Sequence, residues 1–466
     1  MLFNSFNFVL YFLPLTVVGY YILARFLKPT ATLVWLLVVS MFFYSCFGLK
    51  VFAFILASSI INFGFSKVLV KRNRVLYIIS IVFNVSLLLF IKLPPLLKFE
   101  DWIVPIGISY LSFREIGYLT DIYKEKIKPE GVLNYFLFVF FFPHIIEGPI
   151  TRARDFFKEI KDEKRVVFSE ENMSFGIYLF AVGMLKKVLL ADNLGKLVSY
   201  GFSNQTNISV TETVIVMFSY ALQLYFDFSG YSDMAVGIGR MFNISLPVNF
   251  FSPYKSLSVG EIWQRWHITL TDFLKEYIYI PLGGNRKGTV RTYLNILLVY
   301  LISGLWHGIG LTFVIWGLLH GLMQCVERMC KGFFEKIWKT VRLLFTFVFW
   351  VVTFFLFRSP TLTEFWYLFS GLFTKKTFFV SGDFLNAVSF PEITLVSDHL
   401  GTFGSWIELL EAPALLLISF IIIWGFKNPY EKEFTPKLLT SVLLCIGFVW
   451  CILSLGTQTT FVYEYF

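Results

Sequence analysis

Residues 294–323 read LNILLVYLISGLWHGIGLTFVIWGLLHGLM. The stretch consists of two apolar arms, Leu294–Trp306 and Thr312–Met323, which meet at His307 and Gly308. A membrane-spanning helix needs roughly 20 mostly apolar residues, so each arm is too short to cross a bilayer alone. Basic residues flank both outer ends of the stretch, which indicates that these ends lie on the same side of a membrane. We therefore predict a hairpin that enters the membrane and returns, with His307 at its deep end.

The composition of the whole chain indicates a polytopic membrane protein. Of its 466 residues, 56% are hydrophobic and 57 are Phe, whereas 15% are charged. An average soluble domain is about 25% charged, and a soluble fold cannot cover so much aromatic surface. Soluble enzymes, disordered proteins, coiled coils and disulfide scaffolds are therefore excluded. The net charge of +9 comes from Lys and Arg in short loops beside apolar runs, which is typical of membrane topology rather than of nucleic-acid binding.

The apolar runs predict an all-α bundle of about ten full spans, with additional re-entrant or short helices. The basic cluster Lys67–Arg74 is placed in the cytoplasm, which puts the N-terminus outside. The same rule requires Tyr135–Ile146 to re-enter the membrane without crossing it. The retained first span and these runs predict one integral-membrane domain over 1–466. The candidate spans begin near Phe6, Ala31, Val51, Val75, Trp102, Phe175, Val210, Leu343, Trp406 and Leu438.

Residues 227–292 combine charged and aromatic residues and match neither a simple span nor a soluble loop. Within them, residues 261–280 are predicted to form a partly buried helix, in which Glu261 and Arg265 pair across one turn. Irregular backbone at membrane depth is tolerated only where it is buried in protein or lines a water-filled cavity. We therefore expect a cavity in this region.

Three histidines are candidates for chemistry. His307 lies in SGLWHGIG, where glycines allow a helix break and close approach of a ligand. An ionisable group inside a membrane is a functional candidate by default, and neutral imidazole is the form that a general base needs. His267, in EIWQRWHITL, has the alternative of a structural histidine bonded to a backbone carbonyl. His320 has the alternative of a packing role.

Two acids, Asp227 and Asp233, flank Ser229 in YFDFSGYSDMAVGIGRMF. Two interpretations stay open for them: helix capping with a salt bridge to Arg240 or Arg265, or the wall of a polar tunnel. We expect no metal site, because the sequence has no H-E-x-x-H motif and no cluster of Cys and His with ligand spacing.

Three long stretches stand out: YFDFSGYSDMAVGIGRMF (225–242), LPVNFFSPYKSLSVGEIWQRWHITLTDFLKEYIYIPLGGNR (246–286) and SGLWHGIGLTFVIWGLLHG (303–321). They closely resemble the membrane-bound O-acyltransferase superfamily, most of all the bacterial branch that O-acetylates alginate and peptidoglycan. The resemblance implies a helical bundle around a transmembrane tunnel, with His307 as the catalytic base and His267 as the second catalytic histidine. The expected tunnel and substrate-binding residues are Asp227, Ser229, Asp233, Arg265, Trp266, Trp306 and His320.

The chain ends in TTFVYEYF, which resembles the F-x-Y-x-x-F tail of this branch. The resemblance implies that Tyr463, within a tail over 455–466, accepts the acyl group as a relay. A phenol has an ordinary pKa near 10 and needs a base to attack a thioester. The alternative is an aromatic tail anchored at the membrane interface.

The resemblance implies an O-acetyltransferase component of the bacterial cytoplasmic membrane. Acetyl-CoA would be the cytoplasmic donor, no cofactor would be tightly bound, and an extracytoplasmic SGNH-type transferase would place the acetyl group on an alginate-, cellulose- or peptidoglycan-like polysaccharide. The alternative is D-alanyl transfer from a carrier protein to teichoic acid. A third hypothesis, a transporter, predicts inverted repeats, and the sequence contains no repeat. The expected surroundings are membrane lipid, without nucleic acid.

Overall fold

The computed structural model describes residues 1–96, 105–397, 399–431, 434–435 and 437–456, and no strand occurs among them. The first half of the chain forms eleven α-helices: α1 (Leu13–Phe26), α2 (Pro29–Ser45), α3 (Leu49–Val68), α4 (Arg74–Leu96), α5 (Ile108–Tyr123), α6 (Val132–Phe140), α7 (Phe142–Ile145), α8 (Ala153–Lys161), α9 (Glu170–Met184), α10 (Asp192–Ser203) and α11 (Val210–Met241).

The second half forms α12 (Val259–Arg265), α13 (Ile268–Leu274), α14 (Thr289–His307), α15 (Leu311–Met329), α16 (Lys331–Phe334), α17 (Lys339–Arg358), α18 (Leu362–Thr374), α19 (Gly382–Leu385), α20 (Pro391–Ser397), α21 (Thr402–Gly425) and α22 (Leu438–Leu453). Wider π-helical turns occupy Asn7–Phe12, Leu185–Ala191 and Lys275–Tyr279, and 3₁₀ turns occupy Leu69–Lys71, Glu163–Val166, Pro253–Lys255, Pro429–Glu431 and Ser454–Gly456.

The all-α membrane architecture predicted from the sequence is confirmed, although the exact number of crossings stays a prediction. Among the described residues, seven helices are long and apolar enough to span a membrane. The predicted spans near Ala31 and Leu438 correspond to shorter apolar helices, and the one near Trp102 begins outside the described residues. The seven are Asn7–Phe26, Leu49–Lys71, Arg74–Leu93, Glu170–Ser203, Thr289–His307, Lys339–Arg358 and Gly404–Glu431.

The predicted hairpin is present, but its first arm is longer than the sequence suggested. Helix α14 begins at Thr289 and has 19 residues, and it meets those criteria for a membrane-spanning helix. The additional residues at the start of α14 include polar side chains, so the prediction from apolar runs left them out of the first arm. Helix α15 returns antiparallel to α14, and Gly304 of α14 faces Gly317 of α15 so closely that a side chain on either would meet the other helix's backbone. Small residues at such a contact allow helices in a membrane to pack backbone to backbone.

Helix α11 lies at the centre of the molecule, between two apolar clusters. The C-terminal part of α11, from Tyr231 onward, and the chain that follows it as far as Leu246 contribute to the cluster built around α1, α2, α6 and α9. Its residues Val216 to Phe228 belong to the cluster built around α10, α12, α13 and α17. Helix α11 therefore fixes how the two halves of the bundle meet.

Two glycine pairs bring α9 and α11 into direct backbone contact. A Cβ added to Gly183 would lie 2.5 Å from the carbonyl oxygen of Gly230, and one added to Gly230 would lie 2.8 Å from the carbonyl oxygen of Gly183. Gly176 and Gly237 form the second pair, with both corresponding distances 2.6 Å. The two glycines on each helix are separated by two helical turns, so they lie on the same face of that helix.

The two glycine pairs between α9 and α11, called the glycine crossing below, predict a steric penalty for even the smallest added side chain. Gly183→Ala places a methyl group against backbone that cannot rotate away, so we expect a loss of about 1–3 kcal/mol in the free energy of unfolding. Unfolding in mixed detergent micelles, followed by Trp fluorescence, measures it. Gly64→Ala is the matched control, because Gly64 of α3 has open space at the Cβ position. Equal stability of the two variants would contradict the crossing.

Candidate functional site

His307 is the last residue of α14, and its imidazole is enclosed by aromatic rings. The ring centroids of Trp306, Trp316 and Phe357 lie 4.8, 5.3 and 5.2 Å from that of His307. The side chain is 3% exposed. The three rings come from the two arms of the hairpin and from α17, so the hairpin and α17 together create this apolar enclosure. A base in such a site works without competition from bulk water.

His267 lies between α12 and α13 in a left-handed backbone conformation, with φ of 44°. The predicted single helix over 261–280 is therefore wrong: it breaks at Trp266 and His267. Asn249 holds the broken segment, because its carbonyl accepts from the Ile268 amide at 3.0 Å and its side chain accepts from the Thr269 hydroxyl at 2.7 Å. A non-glycine residue in this conformation is strained and persists only where its surroundings fix it.

The His267 imidazole is buried among Phe228, Tyr110 and Trp306, with ring centroids 4.7, 6.0 and 6.0 Å away. Neither of its ring nitrogens has a hydrogen-bond partner among the described residues. The structural alternative, a bond to a backbone carbonyl, is therefore not what the described part of the chain shows. Two unpartnered nitrogens in a buried ring are available to a ligand, since buried polar atoms are otherwise almost always bonded.

Trp306 connects the two histidines. Its ring lies 4.8 Å from that of His307 and 6.0 Å from that of His267. Its indole nitrogen donates to the Ser109 carbonyl at 3.3 Å, which ties α14 to α5. The structure thus brings His307, His267 and Trp306 together although 40 positions separate the two histidines in the sequence.

His320 has protein partners on both ring nitrogens. The Trp263 indole donates to Nδ1 at 3.3 Å, and Nε2 lies 3.1 Å from the Thr353 hydroxyl. This arrangement locks α15 against α12 and α17 and corresponds to the packing alternative. A ligand would have to displace one of these bonds.

The other predicted tunnel residues differ in environment. Trp266 packs against Phe250 and Phe354, each 5.0 Å away between ring centroids, and Ser229 is fully buried on α11. Arg265 pairs with Glu261 at 2.9 Å, as predicted, and its side chain is 32% exposed. Trp266 therefore anchors the His267 segment in the apolar interior, whereas Arg265 lies at the surface of the same segment.

The buried acids of α11 pair with lysines rather than arginines. Asp233 contacts Lys186 at 2.6 Å, and Asp227 contacts Lys187 at 2.7 Å. The predicted partners, Arg240 and Arg265, are wrong, because the glycine crossing places the π-turn Leu185–Ala191 against α11. The signal that could have identified the lysines is a Lys-Lys pair inside the apolar run 177–191, since charges in such runs need partners.

Each of these ion pairs has a further polar contact. The Tyr430 hydroxyl donates to Asp233 at 2.9 Å, and Lys187 also contacts Asp192 at 2.9 Å. The first contact ties the segment between α21 and α22 to α11. Charges taken out of water are stabilised only when such additional bonds complete the pair.

Removing one member of a pair leaves the other charge buried. For Lys186→Met we expect a loss of about 3–5 kcal/mol in the free energy of unfolding. The double variant Lys186→Met, Asp233→Leu is expected to recover most of that loss, because it leaves neither charge of this pair buried without its partner. Unfolding in mixed detergent micelles measures both, and a double variant no more stable than the single one would contradict the pairing.

Lys92 of α4 also reaches the site, and the sequence analysis missed it. Its ammonium donates to the carbonyl of Trp306 and, at 3.2 Å, to that of His307. The signal was a lysine after five apolar residues in LLLFIK (87–92). Tyr463, the predicted relay, lies outside the described residues.

A cluster of ion pairs surrounds Glu276, close to α13 along the chain. Its carboxylate accepts from Lys126 at 2.6 Å and from Arg154 at 2.9 Å, and it contacts Arg152 at 2.9 Å. Burial raises the pKa of Glu276, but the hydrogen bonds from Lys126 and Arg154 and the charge of Arg152 outweigh it, so the pKa is lowered. The cluster ties the start of α8 and the segment after α5 to the π-turn after α13.

The lowered pKa of Glu276 gives a signed pH dependence. The ionised carboxylate stabilises the fold above the unfolded-state pKa of about 4.3, and this contribution is lost as the pH falls through the lower folded-state value. Glu276→Gln should therefore cost about 2 kcal/mol near neutral pH, and the difference should disappear in acid. Glu335→Gln is the control, because its pair with Lys331 is 3.7 Å long and exposed. A difference that grew in acid would contradict the assignment.

No group of three His, Cys, Asp or Glu side chains that could hold a metal ion occurs in the described part of the chain. Comparisons with known proteins identify relatives of this chain. Residues 108–362 match the sequence model of the MBOAT, membrane-bound O-acyltransferase family. The chain is 37% identical over 397 residues to a peptidoglycan O-acetyltransferase of Helicobacter pylori, covering 76% of this chain and 75% of that protein.

Two further relatives are more distant or less completely covered. A protein of Pseudomonas aeruginosa named "Probable alginate O-acetylase AlgI" is 36% identical over 281 residues, covering 60% of this chain and 53% of the relative. A teichoic acid D-alanyltransferase of Bacillus subtilis is 28% identical over 242 residues, covering 50% and 60%. The chain thus spans about half the length of the alginate relative.

Proposed function

The chain belongs to the membrane-bound O-acyltransferase family, and we propose that it moves acetyl groups from cytoplasmic acetyl-CoA across the bacterial cytoplasmic membrane. The acetyl groups would then be placed on a hydroxyl of an extracytoplasmic polysaccharide. The observation that carries the proposal is the pair of buried histidines, His307 and His267, which both pack against Trp306 within a membrane bundle. The relatives named as O-acetyltransferases of peptidoglycan and alginate support acetyl as the group transferred.

His307 would act as the general base. In the proposed step, its imidazole takes the proton of the acceptor hydroxyl, and the oxygen attacks the thioester carbonyl. The C–S bond then breaks, and the thiolate leaving group takes the proton back from the imidazolium. No net proton is released, so the site needs one histidine and no further titratable partner. A positioned base of this kind contributes roughly 10²- to 10⁴-fold in rate.

Tyr463 would be the first acceptor. Its phenol would carry the acetyl group as an aryl ester, which is an activated acyl donor for a second transfer. An extracytoplasmic SGNH-type transferase would take the group from this ester and acetylate the polysaccharide. Helix α22, which precedes the tail, packs against α9, with the Phe448 ring 6.3 Å from that of Phe180.

His267 would bind the donor. Both of its ring nitrogens lack protein partners among the described residues, and its ring centroid lies 6.0 Å from that of Trp306. A neutral imidazole N–H can donate to the thioester carbonyl oxygen, where negative charge develops during attack. Such a donor in an enclosed site stabilises the transition state more than it would in water.

Acyl loading of the purified protein tests the proposal. We expect radiolabel from [¹⁴C]acetyl-CoA on the wild type, and its loss by about 10²-fold or more in His307→Ala. Tyr463→Phe should abolish loading because it removes the acceptor oxygen. Matched controls are His399→Ala, whose imidazole is exposed and bonded to the Leu395 carbonyl at 2.9 Å, and Tyr465→Phe. Both controls should load like the wild type.

Each contrary result has a definite meaning. Normal loading of His307→Ala would overturn the base, and loading that survives Tyr463→Phe would overturn the relay. No loading of the wild type from acetyl-CoA, together with loading from a D-alanyl carrier protein, would replace the acetyl proposal by D-alanyl transfer. The teichoic acid relative is the reason to include that arm.

A further inference from the structure

Lys92 is a charged residue that follows five apolar residues near the C-terminal end of α4. On α4, the neighbouring Leu89, Phe90 and Leu93 are 45%, 57% and 38% exposed, as expected of side chains that face lipid. A lysine ammonium at membrane depth is costly unless it finds a polar partner. A lysine at this position therefore requires a specific partner in the protein.

The partner is the C-terminal end of α14. The last carbonyls of a helix have no intrahelical donor, and those of Trp306 and His307 both accept from the Lys92 ammonium. A cation at this end also interacts favourably with the helix dipole. The same ammonium lies 5.8 Å from the centroid of the Trp306 ring.

The chain after His307 is rich in glycine. Gly308 and Gly310 follow immediately, and glycine has the largest conformational freedom in the unrestrained chain. The Gly308 amide donates to Gly304 at 3.1 Å and so closes the turn before the histidine, not the histidine's own carbonyl. Lys92 is thus the group that anchors the carbonyls of both the histidine and the tryptophan beside it.

We propose that Lys92 is a positioning residue for His307. By holding the last turn of α14, it keeps the imidazole between Trp306, Trp316 and Phe357, in the orientation that the base requires. It acts through the backbone and does not touch the substrate. The proposal deepens the proposed function and rests on it, and it assigns to α4 the task of completing the site.

The kinetic test compares Lys92→Met with Lys92→Arg. We expect Lys92→Met to lower kcat for acetyl loading by about 100-fold, the effect of misplacing a catalytic group by about 1 Å, with KM for acetyl-CoA nearly unchanged. Lys92→Arg should restore most of the rate, since a guanidinium can donate to two carbonyls at once. Lys67→Met is the matched control, because Lys67 also donates to a backbone carbonyl, that of Glu130 at 2.6 Å, but on another part of the molecule.

A second measurement does not depend on the donor. Diethyl pyrocarbonate modifies neutral imidazoles, and mass spectrometry assigns the modified histidines. In Lys92→Met we expect His307 to become modified faster, while the buried His267 and His320 keep their wild-type rates. Equal increases at all three histidines would make Lys92 a merely structural residue, and no increase at His307 would also overturn the proposal. A wild type that fails to load from acetyl-CoA contradicts the proposed function, whereas the modification rates still decide the role of Lys92.

Discussion

The direct backbone contact between α9 and α11 is the constraint on which the rest of the structure depends. Two pairs of glycines let the helices approach until each Cα faces the other helix's carbonyl oxygen. Such an approach provides close van der Waals packing in a lipid environment, where the hydrophobic effect does not drive helices together. It also fixes the rotation of both helices, since both glycine pairs lie on one face of each helix.

The fixed rotation determines the polar interior and, through it, the site. Lys186 and Lys187 follow the last glycine of α9 and meet Asp233 and Asp227 of α11. The residue after Asp227 is Phe228, whose ring packs edge-on against His267 at 4.7 Å between centroids. One turn of α11 therefore carries both an acid of the buried ion pairs and an aromatic side chain that packs against His267. The hairpin then supplies Trp306 and His307.

Much of this arrangement was predictable from particular residues. The apolar runs predicted the bundle, and the glycines around His307 predicted the turn of the hairpin. The pairing of Glu261 with Arg265 followed from helical spacing. The break at His267 was not predictable, because the sequence beside it contains neither glycine nor proline. The left-handed conformation is held by Asn249, which lies before α12 and outside the predicted helix. The partners of Asp227 and Asp233 were also missed, since they depend on which helix packs against α11.

The sequence by itself determined that the chain is a membrane protein, that its helices are apolar and that His307 lies at the end of a glycine-rich turn. These properties follow from local composition and spacing, which act over one or two helical turns. Only the tertiary structure decided that His267 and His307 share Trp306, that lysines rather than arginines neutralise the buried acids, and that Lys92 reaches the end of α14. Each of these contacts joins residues from different helices, and the closest approach of those helices depends on side-chain volume at distant positions. No periodicity within one segment contains that information.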